Sequence, residues 1–203
     1  MKTALETKFT LLFFIVILGC LSCQKEASPT SNGFSQDILN IVSLKTIDSL
    51  RQFGMVIHEG KTPPKLEGSY YLNQYYCSFD NSNRNKLGQK FSDYTYKFYN
   101  QNNTNLTVSV DYQTTENSDV AKGLGSFLSG DGKNFTAFLN VSSISEGIPN
   151  KSLTIISGTV DDAGIINWQN CYKLLQKDDP QQKMIAVGST RIFYEKDLLA
   201  ARN

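Results

Sequence analysis

Tyrosine, whose side chain can bind ligands, is clustered in two short segments of this sequence. Four tyrosines fall within residues 68–79, and three more fall within residues 91–99. A tyrosine ring combines a broad apolar face with a hydroxyl group, which suits contacts with sugars, other small ligands and protein surfaces. Aromatic residues also favour β-strands for reasons of packing alone, so a purely structural role stays open.

Two alternating patterns single out the candidate ligand-facing residues. Tyr94 and Tyr96 are separated by one residue, as are Trp168, Asn170 and Tyr172. Residues spaced by two share one face of a strand. We therefore expect Tyr94, Tyr96, Trp168 and Tyr172 to face the interior of a β-domain. There they either line a ligand cavity or fill a solid core.

No catalytic or metal-binding motif accompanies these aromatic residues in the sequence. His58 is the single histidine, and no nucleophile or orienting acid stands near it in a recognised pattern. The acidic pairs Asp161–Asp162 and Asp178–Asp179 read as turn residues, because the spacing of a calcium loop is absent. We expect a protein that is not an enzyme and that uses no cofactor and no metal.

Cysteines occur in two groups with different expected chemistry. Cys77 and Cys171 lie on predicted strands, and an even pair in an oxidising compartment invites a disulfide. Two buried free thiols are the alternative, since the strands that carry them need not be adjacent.

Cys20 and Cys23 follow a leader-like segment. Lys2 and Lys8 precede an apolar run over residues 9–19, which has the length of a signal-peptide core and is short for a membrane span. Small residues before a cysteine resemble the lipobox, in which the thiol is diacylated and the leader is removed. We expect a signal peptide over 1–22 and lipidation at Cys23, with Cys20 as the alternative.

A flexible spacer and a helix follow the predicted anchor. Residues 23–34 are polar and rich in Ser, Pro and Gly, which is typical of a tether. One amphipathic helix is predicted over residues 35–53, with Ser35 or Asp37 as its cap and Gly54 as its stop. Pro63–Pro64 excludes any continuation of this helix.

Residues 35–203 are predicted to form a single domain. After the helix, residues 66–203 of this domain show the alternation of apolar and polar residues that is typical of β-strands. About eight strands are predicted, separated by short turn sequences, at 68–79, 91–99, 106–112, 120–128, 135–141, 153–160, 165–175 and 184–194. Short connections imply antiparallel neighbours. The prediction is a mainly β fold, an up-and-down, lipocalin-like β-barrel, with a β-sandwich as the alternative.

Several short segments together resemble a family of uncharacterised Bacteroidetes-type lipoproteins. They include Leu66 to Tyr70, Phe98 to Gln101, Ser129 to Gly132 and Arg191 to Tyr194. The polar and acidic residues Gln24 to Glu26 after Cys23 resemble the signal for display on the cell surface in such proteins. The resemblance implies an outer-membrane lipoprotein exposed at the surface, with the periplasmic face as the alternative, and it implies no activity or ligand.

Charge limits the expected partners. Lys and Arg number 20 against 19 Asp and Glu, and no basic patch is visible along the chain. Nucleic acid is therefore not an expected partner. The expected partners are the membrane, through the lipid anchor, and either a small apolar or sugar-like ligand or a protein of an envelope complex. In the latter case the protein would be a structural or interaction accessory.

Overall fold

The computed structural model describes residues 33–203. The predicted signal peptide, most of the predicted tether and both candidate lipidation residues, Cys20 and Cys23, lie outside the described residues. Along the chain the strands are β1 (Lys61–Thr62), β2 (Gly68–Leu72), β3 (Tyr75–Asp80), β4 (Tyr94–Asn102), β5 (Thr107–Thr114), β6 (Asp119–Asp131), β7 (Asn134–Ser145), β8 (Ile148–Asp161), β9 (Gly164–Lys177), β10 (Thr190–Glu195) and β11 (Leu199–Arg202).

Eight strands form a closed antiparallel ring, and the prediction of a mainly β antiparallel domain is confirmed. The order around the ring is β2, β4, β5, β6, β7, β8, β9 and β11. Strand β11 closes it by pairing on both sides: Ala201 lies opposite Tyr71 of β2, and Leu199 lies opposite Ile166 of β9. Ring closure leaves these eight strands with partners on both sides, which removes the exposed edges of an open sheet.

Strands β3 and β10 continue two of the ring strands. Asn73 and Gln74 separate β2 from β3, and residues 196–198 separate β10 from β11. The two continuations pair with each other, and β10 also pairs with the second half of β9. They extend the ring wall on one side.

The predicted strands differ from the observed ones mainly at this wall. The strand predicted over 68–79 is divided into β2 and β3, and the strand predicted over 184–194 begins at Thr190. Residues before Thr190 instead form a turn around Gly188, whose N–H donates to the Leu174 carbonyl. The short strand β11 was not predicted, because four residues carry too little alternation to be recognised.

The helix predicted over 35–53 is two helices, α1 (Gln36–Ile41) and α2 (Leu44–Gln52). Ser35, one of the two caps that the sequence allows, caps α1, and Ser43 caps α2 by accepting a hydrogen bond from the Thr46 N–H. The extended residue Val42 between them turns its side chain into the core. This break divides the single helix that the sequence predicts into two.

Two apolar cores lie on opposite faces of the sheet. The helices cover an outer core in which Ile38, Ile47 and Leu50 pack against Phe138 and Ile155 of the strands. The inner core fills one end of the ring with large buried side chains, among them Trp168, Tyr70, Phe98, Phe135 and Leu128. The Tyr70 hydroxyl donates to the Leu66 carbonyl at 2.8 Å, so the segment before β2 closes this end.

Of the two alternatives that the sequence left open for Cys77 and Cys171, the structure has the second, since both residues are buried free cysteines. Cys77 of β3 belongs to the inner core, whereas Cys171 of β9 belongs to the outer core beneath the helices. Strand β10 lies between them, with Phe193 opposite Cys77 and Ile192 opposite Cys171. Two thiols on opposite faces of a sheet and one strand apart cannot reach disulfide geometry.

Candidate functional site

A cavity of about 400 Å³ occupies the end of the ring that the inner core leaves unfilled. The connections β3–β4, β5–β6, β7–β8 and β9–β10 all contribute to its rim. Its volume falls in the range of about 300–1,000 Å³ that is usual for small-molecule sites. The alternation of the strands turns aromatic side chains into this space and aliphatic ones toward the helices.

Five tyrosines and two phenylalanines form the aromatic wall of the cavity. They are Tyr75, Tyr94, Tyr96, Tyr112, Tyr172, Phe91 and Phe193. The rings support one another: the Tyr94 ring centroid lies 5.2 Å from that of Tyr75 and 5.8 Å from that of Tyr96, and Tyr96 lies 5.3 Å from Tyr112. Ring packing at these distances fixes the orientation of the wall.

Asp119, the first residue of β6, is the acidic centre of the wall. Its carboxylate accepts hydrogen bonds from the Tyr94 hydroxyl at 2.8 Å and from the Ser145 hydroxyl at 2.9 Å. Burial raises the pKa of this carboxyl above its ordinary value, although the two hydrogen bonds act in the opposite direction. The carboxyl is therefore oriented, partly desolvated and adjacent to the aromatic rings.

The tyrosine hydroxyls stay protonated because burial raises their pKa values. For Tyr94 and Tyr96 the pKa lies well above the ordinary value, through burial first and then through the nearby charge of Asp119 and neighbouring tyrosines. Burial likewise raises the pKa of Tyr112 and Tyr172. Each hydroxyl can thus donate one hydrogen bond and accept others.

Amides from β8 and β9 add further polar groups. The Asn170 side-chain amide donates to the Tyr96 hydroxyl at 3.3 Å, and the Tyr172 hydroxyl donates to the side-chain Oδ1 of Asn150 at 3.3 Å. Asn170 is buried and lines the cavity. Amide, hydroxyl and carboxyl groups next to aromatic faces form a recognition surface for a polar molecule with apolar ring faces.

Ion pairs and hydrogen bonds hold the connections at the rim of the cavity. Arg191 of β10 pairs with Asp80 of β3 at 3.2 Å, and both side chains are largely buried. Asp179 accepts N–H bonds from Lys183 and Met184, and Arg84 donates to the Met184 carbonyl. Although burial acts in the other direction, those N–H bonds and Lys177 lower the pKa of Asp179 to about 2. The β3–β4 and β9–β10 connections thus meet over the cavity.

Three of the four predicted ligand-facing residues line the cavity, namely Tyr94, Tyr96 and Tyr172. Trp168 does not line it: the indole is fully buried beneath, with its ring centroid 4.9 Å from that of Tyr96. Trp168 therefore belongs to the solid part of the interior, while the tyrosines border the hollow part. Both alternatives for the aromatic pattern therefore apply: the residues line a cavity at one end of the ring and fill a solid core at the other.

Tyr75, Tyr112 and Asp119 line the cavity but are not among the ligand-facing residues predicted from the sequence. Tyr112 ends the clean alternation of β5, and that pattern placed it on the same face as Val108 and Val110. Tyr75 belongs to a strand that was predicted as one piece with β2, so its position on the wall was hidden. Asp119 stood in a turn sequence, and only the pairing of β6 beside β5 brings it to the tyrosines.

His58 lies outside the ring, where its backbone joins the segment after α2 to the sheet. Its N–H donates to the Thr136 hydroxyl at 2.8 Å, and its carbonyl accepts from the Ser129 hydroxyl at 2.6 Å. Within residues 33–203, no group of three His, Cys, Asp or Glu side chains is arranged to hold a metal ion. No helix in that range is long and apolar enough to cross a bilayer.

A wider groove of about 630 Å³ runs along the outer surface. Val56, Leu87 and Leu198 border it and are each more than half exposed. It lacks the enclosed aromatic wall of the cavity, so we take the cavity as the candidate site.

Comparisons with protein families, with curated proteins and with solved structures found no match to this chain. The candidate site therefore rests on its own geometry.

Proposed function

We propose that this protein is a non-enzymatic envelope lipoprotein that binds a sugar-like small ligand in the cavity of its strand ring. The observation that carries the proposal is the cavity itself, in which five tyrosines surround Asp119 and Asn170. A sugar ring presents C–H faces that stack on tyrosine and hydroxyl groups that hydrogen-bond to carboxylates and amides. An entirely apolar ligand would leave the Asp119 carboxyl desolvated without a new partner, which is unfavourable.

Binding without chemistry is favoured by the composition of the wall. Among the described lining residues there is no histidine and no cysteine. The second lining acid, Glu146, is exposed at a turn, whereas glycosidases place two carboxyl groups on either side of the scissile bond. The expected anchor at Cys23, or Cys20, would hold the cavity at the outer-membrane surface, where it would meet ligands from outside the cell.

Calorimetric titration of the full-length chain tests this proposal. The chain is kept in a polyoxyethylene detergent, since sugar-based detergents would compete for the site. The probes are glucose, N-acetylglucosamine, cellobiose and digalacturonic acid, with dodecanoate as an apolar probe. We expect at least one saccharide to bind and to be recovered unchanged, and dodecanoate not to bind.

Two variants locate the binding. Tyr94→Phe removes the hydroxyl that touches Asp119, and Tyr99→Phe makes the same change on the outer face, where the Tyr99 hydroxyl donates to Asp111. We expect Tyr94→Phe to weaken saccharide binding several-fold, the scale of one ordinary hydrogen bond, and Tyr99→Phe to leave it unchanged. Absence of saccharide binding, or equal effects of the two variants, would contradict the proposal.

The second candidate function is that of an accessory subunit in an envelope complex, which the exposed apolar residues of the outer groove favour. A protein partner seated there would cover Val56, Leu87 and Leu198. Photo-crosslinking from position 87 in native membranes, with position 133 as the control, would capture such a subunit specifically. A monodisperse monomer with no crosslinked partner would remove this candidate.

A further inference from the structure

The charges around the cavity mouth are distributed unevenly. Five basic residues line the site, namely Arg84, Lys86, Lys90, Lys183 and Arg191, against the two acids Asp119 and Glu146. The chain as a whole has a formal net charge of only +1, so the mouth is more basic than the rest of the protein. A mouth lined by one sign of charge concentrates ligands of the opposite sign.

Sheet order places the two signs on opposite sides of the mouth. Asp119 begins β6, and Glu146 follows β7. These strands lie half a turn around the ring from β2 and β11, whose continuations are β3 and β10. The basic residues belong to β10 and to the connections that follow β3 and β9. A ligand in the cavity therefore has hydrogen-bonding groups from Asp119 on one side and cations on the other.

Three of the cations have no acidic partner among the residues that the structure describes. Lys90 pairs with Asp93 at 3.3 Å, and Arg191 pairs with the buried Asp80 at 3.2 Å. Arg84 donates to backbone carbonyls of the β9–β10 connection, and neither Lys86 nor Lys183 forms an ion pair within residues 33–203. Lys86 is half-buried, so its charge is less screened than that of a fully exposed lysine.

We propose that the ligand is an acidic saccharide whose ring stacks among the tyrosines and whose carboxylate or sulfate contacts Lys86, Lys183 and Arg84. This inference rests on the proposed function and specifies its ligand class. Hydroxyl groups of the sugar face Asp119, away from the anionic substituent. The opposed placement of the two signs also fixes which way round the ligand enters.

The test compares sugars that differ in one charge. Digalacturonic acid and its methyl ester share ring stereochemistry, while a sulfated galactose disaccharide and neutral galactobiose form a second pair that separates sulfate from carboxylate. Each is titrated calorimetrically into the full-length chain in polyoxyethylene detergent. We expect the acid of at least one pair to bind roughly tenfold more tightly than its neutral form, the scale of one or two rim ion pairs, with the difference shrinking in high salt.

Substitutions at the rim assign the preference to named residues. The double variant Lys86→Gln/Lys183→Gln should remove most of the preference for the acid, because it weakens binding of the acidic sugar far more than binding of the neutral one. Lys133→Gln, an exposed lysine in the β6–β7 turn at the other end of the ring, is the matched control. Equal affinity for charged and neutral sugars would overturn the acidic-ligand inference alone. Absence of binding by every sugar would overturn the proposed function as well.

Discussion

The Tyr94 hydroxyl donates a 2.8 Å hydrogen bond to the Asp119 carboxylate, linking β4 to β6 across the intervening strand β5. Tyr94 is one of the residues that the alternation of the sequence singled out, whereas Asp119 is reached only through the ring. The contact holds a partly desolvated acid beside an aromatic wall. Both the binding proposal and the expected effect of Asp119 on the pH dependence of stability depend on this arrangement.

Replacement of Asp119 by asparagine should stabilise the domain at neutral pH. Burial raises the pKa of Asp119 in the folded state, so the unfolded chain releases this proton at lower pH than the folded domain does. The contribution of Asp119 to stability is therefore fully present below the ordinary carboxyl pKa and is lost as pH rises through the raised, folded value. Urea unfolding from acidic to neutral pH should show Asp119→Asn gaining stability over the native chain as pH rises. A constant difference, or a loss at neutral pH, would show that the hydrogen bonds outweigh burial.

The stability of the domain should be strongly reduced when the buried ion pair of Asp80 and Arg191 is broken. Asp80→Asn leaves the Arg191 guanidinium largely buried without its charged partner, 3.2 Å from a neutral group. Removing one member of a buried pair costs about 3–5 kcal/mol, and we expect a loss near the lower end because Arg191 retains a hydrogen bond to Ser82. Lys133→Gln, which removes an exposed pair at 4.0 Å, should change the free energy of unfolding by less than about 1 kcal/mol. Equal effects of the two variants on the free energy of unfolding in denaturant titration would contradict a stabilising role for the buried Asp80–Arg191 pair.

Two strand glycines provide a test of the packing inside the ring. A methyl group at Gly158 would lie 2.5 Å from the Ile165 side chain, whereas a methyl group at Gly125 meets nothing within 4 Å. Neither glycine has a positive φ, so the comparison isolates packing from backbone strain. Gly158→Ala should destabilise by about 1–3 kcal/mol through overpacking. Gly125→Ala should be neutral or stabilising by up to about 1 kcal/mol. Thermal and urea unfolding of the two variants measure this difference. Equal destabilisation would contradict tight packing of Gly158 against the Ile165 side chain.

The free cysteines should be unlinked and slow to react. Both are buried, and burial raises the pKa of Cys171 to about 12, so its reactive thiolate is scarce at neutral pH. Alkylation of the native full-length chain should leave Cys77 and Cys171 unmodified, and addition of denaturant should expose both to full labelling. Peptide mapping without reductant reads each site separately from Cys20 and Cys23. A peptide pair linked through Cys77 and Cys171 would contradict the opposite-face placement.

The sequence was informative where periodicity is strong. Clean alternation in β5 and the spacing of Tyr94, Tyr96 and Tyr172 were sufficient to predict antiparallel strands and much of the aromatic wall. Each of these features depends on the order of residues within one strand, so it can be recognised directly from the spacing of residues in the sequence.

The features that were missed depend on contacts between distant parts of the chain. The helix break arises because Ser43 can cap a new helix while Val42 fills the outer core, and that core is built from strands far along the chain. Asp119 acquires its role from Tyr94 and Ser145 on other strands. The sequence left the state of Cys77 and Cys171 open for the same reason, since face and strand order are properties of the assembled sheet.

Ring-proton and ring-carbon NMR of the full-length chain with labelled tyrosine, titrated in separate runs with digalacturonic acid, the sulfated galactose disaccharide and galactobiose, tests the central claim most directly. The sequence contains 10 tyrosines, which serve as probes on both faces of the sheet. We predict saturable shifts of Tyr75, Tyr94, Tyr96, Tyr112 and Tyr172 and unmoved signals from Tyr76 and Tyr99, which do not line the cavity. Shifts confined to Tyr76 and Tyr99, or no saturable shift at any tyrosine, would contradict a saccharide site inside the ring.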